Sequence, residues 1–99
     1  MRTVIESLIA LPHVDSITLH NEIVFIESSL ETLRSDAAIT NDAYLAAGAV
    51  QGGISMIRNM LDAGILRDEV QAHLRDLLIR AIKLDEEHPG LDGAINSRR

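Results

Sequence analysis

Residues 41–64, NDAYLAAGAVQGGISMIRNMLDAG, predict one long helix that decides the fold of this chain. Thr40 or Asn41 can cap its start, and Asp42 places a negative charge beside the positive end of the helix dipole. Gly64 can end the helix in a left-handed conformation. The segment therefore carries both a start signal and a stop signal, as a complete helix should.

Two apolar stripes run along this central helix. The first follows alternating spacings of four and three residues and consists of Ala43, Ala47, Val50, Ile54, Ile57 and Leu61. The second lies beside it and consists of Leu45, Ala49, Gly52, Met56 and Met60. Because a helix that is apolar on two faces must bury both, we expect it to be the central member of a bundle, with neighbours on both sides.

Three glycines interrupt the central helix and need a physical reason. Gly48, Gly52 and Gly53 each cost about 0.5–1 kcal/mol relative to alanine in a helix interior. Gly48 and Gly52 lie four residues apart on one face with Gly53 alongside, so we expect close packing of a neighbouring helix there. A kink or a slot for a ligand is the alternative. A phosphate-binding loop is not indicated, because no Gly-Lys-Ser/Thr sequence follows the glycines.

The segments on either side of the central helix carry similar apolar seams. A helix predicted from about Leu19 to Arg34 has a seam formed by Leu19, Ile23, Ile26, Leu30, Leu33 and Ala37. A helix predicted from about Arg67 to His88 has a seam formed by Val70, Leu74, Leu77, Ala81 and Leu84. A shorter helix is predicted before them, from Thr3 to Leu11, where Thr3 and Glu6 fit a capping box.

These elements predict an all-α fold. We expect a small antiparallel helical bundle of three long helices plus a short N-terminal helix. Residues 1–90 would form the single domain, because His88-Pro89-Gly90 ends the last helix, and residues 91–99 would form a flexible C-terminal tail.

Composition narrows the classes of function. With 99 residues, 46% hydrophobic and 24% charged, the chain is expected to form one globular domain. It contains no cysteine, which removes disulfides and thiol chemistry and agrees with a cytoplasmic location. Its net charge of −6 disfavours direct nucleic-acid binding, which depends on clustered Lys and Arg. No signal peptide is predicted, because Glu6 interrupts the first apolar run, and no membrane span is expected.

The acidity is concentrated in residues 1–33, which hold one arginine and five acidic residues, a net charge of −4. Val24 and Phe25 fall outside the seam of their helix, beside several of these carboxylates. Either the short N-terminal helix covers Phe25, or the surface contacts a partner, since aromatic anchors often dominate interfaces. The partner-binding residues predicted on this second interpretation are Glu22, Val24, Phe25, Glu27 and Glu31.

No pattern in the sequence indicates an enzyme, a metal site or a cofactor. The candidate metal ligands are His13, Asp15, His20 and Glu22, but their spacing does not place two histidines on one helical face. Asp15 is explained equally well as a helix cap. The acidic run from Asp85 to Glu87 is interpreted as a solvated helix end, and no nucleophile elbow is present.

The sequence therefore favours a non-enzymatic protein–protein interaction module, a small acidic regulator, adaptor or inhibitor whose partner presents a basic surface. A phage-type inhibitor of a host nucleic-acid-binding machine is one such protein. Apolar residues left over after the seams are assigned predict a homo-oligomer, with a dimer favoured. The alternative is a small-ligand or metal-binding helical module that uses the glycine face of the central helix.

Overall fold

The computed structural model describes all 99 residues and contains helices without strands. The chain forms, in order, α1 (Arg2–Ala10), α2 (Ser16–Ser35), α3 (Asn41–Asp62), α4 (Arg67–Glu87) and α5 (Leu91–Asn96). The long helices α2, α3 and α4 form a bundle in which α3 packs against both α2 and α4, and the whole molecule measures 40 × 22 × 20 Å. The all-α prediction of three long helices with a short N-terminal helix is confirmed, and a fifth helix is added to it.

Side-chain caps start α2 and α3, and a left-handed glycine follows the end of α3. Thr40 Oγ1 accepts a hydrogen bond from the Ala43 N–H at 3.0 Å, so Thr40, and not Asn41, caps α3. Asp15 accepts from the Thr18 N–H at 2.7 Å, which starts α2 three residues before the predicted Leu19. Gly64 follows α3 with a φ of 90°, in the left-handed region that glycine adopts without strain.

The hydrophobic core is one continuous cluster built on the three predicted seams. The long helices contribute Leu19, Ile23, Ile26, Leu30 and Leu33 from α2, Ala47, Val50, Ile54 and Ile57 from α3, and Val70, Leu74, Leu77, Ala81 and Leu84 from α4. Ala37 is an exception to the predicted seam. It is exposed with a φ of 56°, because α2 ends at Ser35 and the chain turns there.

The segment expected to be a flexible tail contains a helix in the structure. Gly90 has a φ of 91°, and this left-handed residue lets the chain turn after Pro89 and begin α5 at Leu91. Leu91 and Ile95 are buried in the common core. Helix α5 packs against α1 and α2, so the domain extends beyond residue 90.

Helix α1 packs against α4 and is fastened to α5 by Asp92. The Met1 ammonium donates to Asp92 Oδ1 at 2.9 Å and to Asp85 Oδ1 at 3.1 Å. Thr3 Oγ1 donates to Asp92 Oδ2 at 2.6 Å, so Thr3 does not form the predicted capping box with Glu6, which pairs with Arg2 instead. Burial opposes the ionised form of Asp92, but the hydrogen bonds from Thr3 and the Met1 ammonium outweigh it and hold its pKa below the usual value.

None of the five helices combines the length and the apolar character needed to cross a lipid bilayer.

Candidate interaction surfaces

The predicted partner-binding residues lie on two different sides of α2. Glu22 and Phe25 point toward α5 and the residues after it, where both contact Arg99. Glu27 and Glu31 lie on the side that faces α3, beside Tyr44. The reason is helical geometry, because the five steps from Glu22 to Glu27 place these two residues about 140° apart around the helix. These residues therefore do not form one surface.

Val24 lies exposed on the ridge of α2 between these two sides. Ile17, seven residues earlier and so about two turns away on the same ridge, is exposed as well. The ridge itself is therefore apolar at these two positions.

On the α5 side, Glu22 and Phe25 together hold a guanidinium group. The Cζ atom of Arg99 lies 4.1 Å from the centroid of the Phe25 ring, in a cation–π contact. Arg99 Nη1 donates to Glu22 Oε1 at 3.0 Å, and Arg99 Nη2 donates to Glu22 Oε2. A fork of two hydrogen bonds with an aromatic face beneath it suits the planar guanidinium better than an ammonium group. We call Glu22 and Phe25 the arginine site.

Arg99 therefore covers one face of Phe25, whereas the short N-terminal helix, which was the predicted cover, packs mainly against α4. Arg99 is not among the residues predicted from the sequence, because it lies in the segment interpreted as a tail. Arg99 and Glu22 are 77 residues apart, and no local pattern signals such a contact.

On the α3 side, Glu31 is already engaged within the chain. It accepts hydrogen bonds from Tyr44 Oη at 2.6 Å and from Arg34 Nη2 at 3.2 Å, and the Arg34 guanidinium lies over the Tyr44 ring. The bond from Tyr44, assisted by Arg34, holds the pKa of Glu31 below its usual value, and the same bond raises the pKa of Tyr44. Glu27 remains exposed beside this group.

The outward side of α3 differs from its prediction. A Cβ atom added at Gly48 or Gly52 would meet no atom within 4 Å, so the close packing expected at these two glycines is wrong. Gly53 has a near neighbour, because an added Cβ would lie 2.5 Å from Leu77 Cδ1 of α4. The periodicity correctly placed the glycines beside one another but could not show which of them faces a helix.

The exposed part of α3 is apolar over three turns. Leu45 is 67% exposed and Met56 is 59% exposed, and no charged residue occurs between Asp42 and Arg58. We call this surface the α3 face; it consists of Leu45, Gly48, Ala49, Gly52 and Met56.

Charged side chains flank the α3 face on both of its edges. On the α2 edge, Glu27 lines a cavity of about 110 Å³ that also touches Leu45 and Gly48. On the α4 edge, Arg80 and Lys83 line a shallow groove beside Ala46 and Ala49. Arg80 Nη2 also lies 3.5 Å from the carbonyl oxygen of Ala49. Glu87 lines the same groove, and Asp76 lines a cavity of about 110 Å³ together with Met56 and Arg80. The α4 edge therefore carries two basic residues between two acidic ones, and the basic pair flanks the same stretch of α3 as Glu27.

The largest cavity, about 630 Å³, lies at one end of the bundle between the α2–α3 and α4–α5 connections. It involves none of the predicted partner-binding residues and none of the three glycines within α3. Its polar lining comes from Thr40, Glu87 and His88, and Thr40 is occupied as the cap of α3. The structure brings no three His, Asp or Glu side chains together in a metal-binding arrangement, and Asp15 and Glu22 have the other partners described above.

Comparisons with protein families, curated proteins and solved structures gave no significant match to this chain.

Proposed function

We propose that the protein is a non-enzymatic protein–protein interaction module that receives an arginine of a basic partner at the arginine site. The observation that supports this proposal is the Arg99 guanidinium, which stacks on Phe25 while Glu22 accepts two hydrogen bonds from it. An arginine from a partner would make the same contacts. Arg99 is half exposed, and surface ion pairs of this kind contribute only about 0–1 kcal/mol, so a partner can displace it.

The charge of the chain supports the same kind of partner. The net charge is −6, and residues 1–33, which contain Glu22, carry −4. A field of this sign attracts a basic surface and accelerates encounter with it. Such a module acts as a regulator, an adaptor or an inhibitor. A phage-type inhibitor of a host nucleic-acid-binding machine would use the arginine site to occupy the basic groove of its target.

The lack of cysteine fits the reducing conditions of the cytoplasm, which is the location we propose for this interaction.

The small-ligand alternative receives less support. It requires a pocket at the glycines of α3, but the cavities that touch Gly48 and Gly53 measure only about 110 Å³ each. Pockets that bind small molecules usually measure about 300–1,000 Å³.

The test of the arginine site uses the Arg99→Ala variant, which removes the internal occupant. The probes are an arginine-containing glycine–serine peptide and a matched peptide with lysine at the same positions. Because Phe25 is the only phenylalanine, its ring signals in an NMR titration report directly on the site. We expect Arg99→Ala to bind the arginine peptide more tightly than the wild type does, and to prefer it over the lysine peptide.

Two further variants identify the residues responsible, both measured in the Arg99→Ala background. Glu22→Gln should remove the preference for arginine, whereas Glu86→Gln, which removes the same charge from an exposed position of α4, should retain it. Equal affinity for the two peptides in the Arg99→Ala variant would refute the proposal.

A further inference from the structure

The α3 face is an apolar helix surface that nothing in the chain covers. Leu45 and Met56 are large apolar residues more than half exposed, and the segment between Asp42 and Arg58 has no charge. A helix side that remains in water normally carries charged or polar residues. The composition of the α3 face is therefore that of a buried surface, although it lies outside the bundle.

The shape of the α3 face is suited to packing against a second helix. Gly48 and Gly52 lie between Leu45 and Met56, and the space outside both glycines is empty to at least 4 Å from an added Cβ. Another helix can thus approach the α3 backbone at the glycines while its own larger side chains pass on either side. Close approach of two helices would compensate for the unfavourable helix propensity of these two glycines.

The charges on the two edges of the α3 face select both the occupant and its direction. Glu27 lies on the α2 edge, and Arg80 and Lys83 lie on the α4 edge of the same stretch. The α4 edge also carries Glu87 nearer the start of α3 and Asp76 nearer its end, beside Met56. A two-fold axis parallel to α3 would place the α2 edge of each copy against the α4 edge of the other. Glu27 of each copy would then face Arg80 and Lys83 of the other copy.

The other two-fold arrangement has its axis across α3 and brings like charges together. It would place Glu27 against the Glu27 of the second copy, and the pair Arg80 and Lys83 against the same pair of the second copy. Like charges in contact oppose association. We propose that the α3 face binds the α3 face of a second copy of this chain, with the two α3 helices running in the same direction. This contact leaves the arginine site free and does not depend on it.

The first test measures the solution mass of the full chain by analytical ultracentrifugation over a concentration series. We expect a dimer for the wild type and a monomer for Gly52→Arg at the same concentration. Arginine is a better helix former than glycine and has open space at this position, so the variant should stay folded, as checked by circular dichroism. Gly93→Arg is the matched control, because Gly93 is also an open helical glycine but lies on α5; it should remain a dimer.

The second test examines the direction of the helices by charge reversal. Glu27→Lys alone and the double variant Arg80→Glu/Lys83→Glu alone should each raise the dissociation constant of the dimer by about tenfold or more. An equimolar mixture of these two variants should restore dimers, because each reversed edge then meets its complement.

Two outcomes would overturn the proposal. One is a wild-type chain that remains a monomer up to its solubility limit. The other is a dimer that neither Gly52→Arg nor the charge reversals weaken. If Glu27→Lys instead forms dimers with the wild type more readily than the wild type does with itself, the axis lies across α3 and the proposed direction is refuted.

Discussion

Gly53 of α3 and Leu77 of α4 are so close that a methyl group at position 53 would lie 2.5 Å from Leu77 Cδ1. Leu77 is a buried member of the core, so its side chain cannot swing into solvent to make room. The absence of a side chain at Gly53 thus sets the separation of α3 and α4 at this level. Gly52, the preceding residue, has no such neighbour.

This difference predicts that alanine substitutions at these two adjacent glycines will change the free energy of unfolding by different amounts. Gly52→Ala should raise the free energy of unfolding by about 0.5–1 kcal/mol, the usual gain in helix propensity. Gly53→Ala should give a smaller gain or a loss, because Leu77 must shift within a packed core. Urea unfolding at a concentration where the chain is monomeric measures both, and equal stabilisation by the two changes would contradict the contact.

Two isoleucines, one in the core and one on the surface, allow the same substitution to be compared in both environments. Ile54 is fully buried and Ile79 is 68% exposed. We expect Ile54→Ala to lower the free energy of unfolding by about 2–5 kcal/mol, because it leaves a cavity in the core. Ile79→Ala makes the same chemical change on the surface of α4 and should stay within about 0.5 kcal/mol of the wild type. The same urea experiment tests this, and a similar loss for both would show that Ile79 is also buried under the conditions used.

The Tyr44–Glu31 hydrogen bond predicts a shifted titration of the tyrosine. The bond to the carboxylate stabilises the protonated hydroxyl, so the pKa of Tyr44 should lie above its ordinary value of 10.0. Because Tyr44 is the only tyrosine, its ultraviolet absorbance reports one group alone. Glu31→Gln should lower the midpoint, whereas Glu69→Gln, an exposed carboxylate on α4, should leave it unchanged. Identical midpoints in the wild type and Glu31→Gln would refute the bond in solution.

Asp92 predicts a dependence of stability on acid. Its pKa in the folded chain lies below the ordinary value of 3.8, so folding favours the ionised carboxylate. This contribution is therefore present above pH 3.8 and is lost as the pH falls through the lower folded value. We expect acid to destabilise the wild type more steeply than Asp92→Asn, as followed by thermal unfolding at a series of pH values. Parallel curves for the two proteins would contradict the ion pair with Met1.

Much of the fold could be predicted because its signals are local. The seams of α2, α3 and α4 repeat every three or four residues. The caps Asp15 and Thr40 each accept a hydrogen bond from an N–H group only three residues further along the chain. Helix α5 could not be predicted in this way, because six residues are too few to show a period. Gly90 also has two meanings, since a left-handed glycine that ends one helix can begin the turn into the next.

The candidate sites could be predicted less well, because they depend on contacts between distant segments. Position on the helical wheel shows which residues share a side of α3, but not whether another helix covers that side. For this reason the sequence predicts close packing at Gly48 and Gly52, whereas in the structure only Gly53 of these three glycines has a close neighbour. Glu22 and Glu27 lie on different sides of α2 for a simpler reason. Residues that are close in sequence need not share one side of a helix.

The attachment of α1 to α5 through Asp92 also predicts the order in which the helices fold and unfold. The bond from Thr3 to Asp92 joins segments 89 residues apart, whereas α2, α3 and α4 are joined to one another by short turns. Forming such a distant contact requires the closure of a long loop, which is entropically unfavourable until the rest of the chain is ordered. The three long helices would then assemble first, and α1 and α5 would dock last. Since Asp92 holds these two short helices together, they should also detach from the folded protein as one cooperative unit.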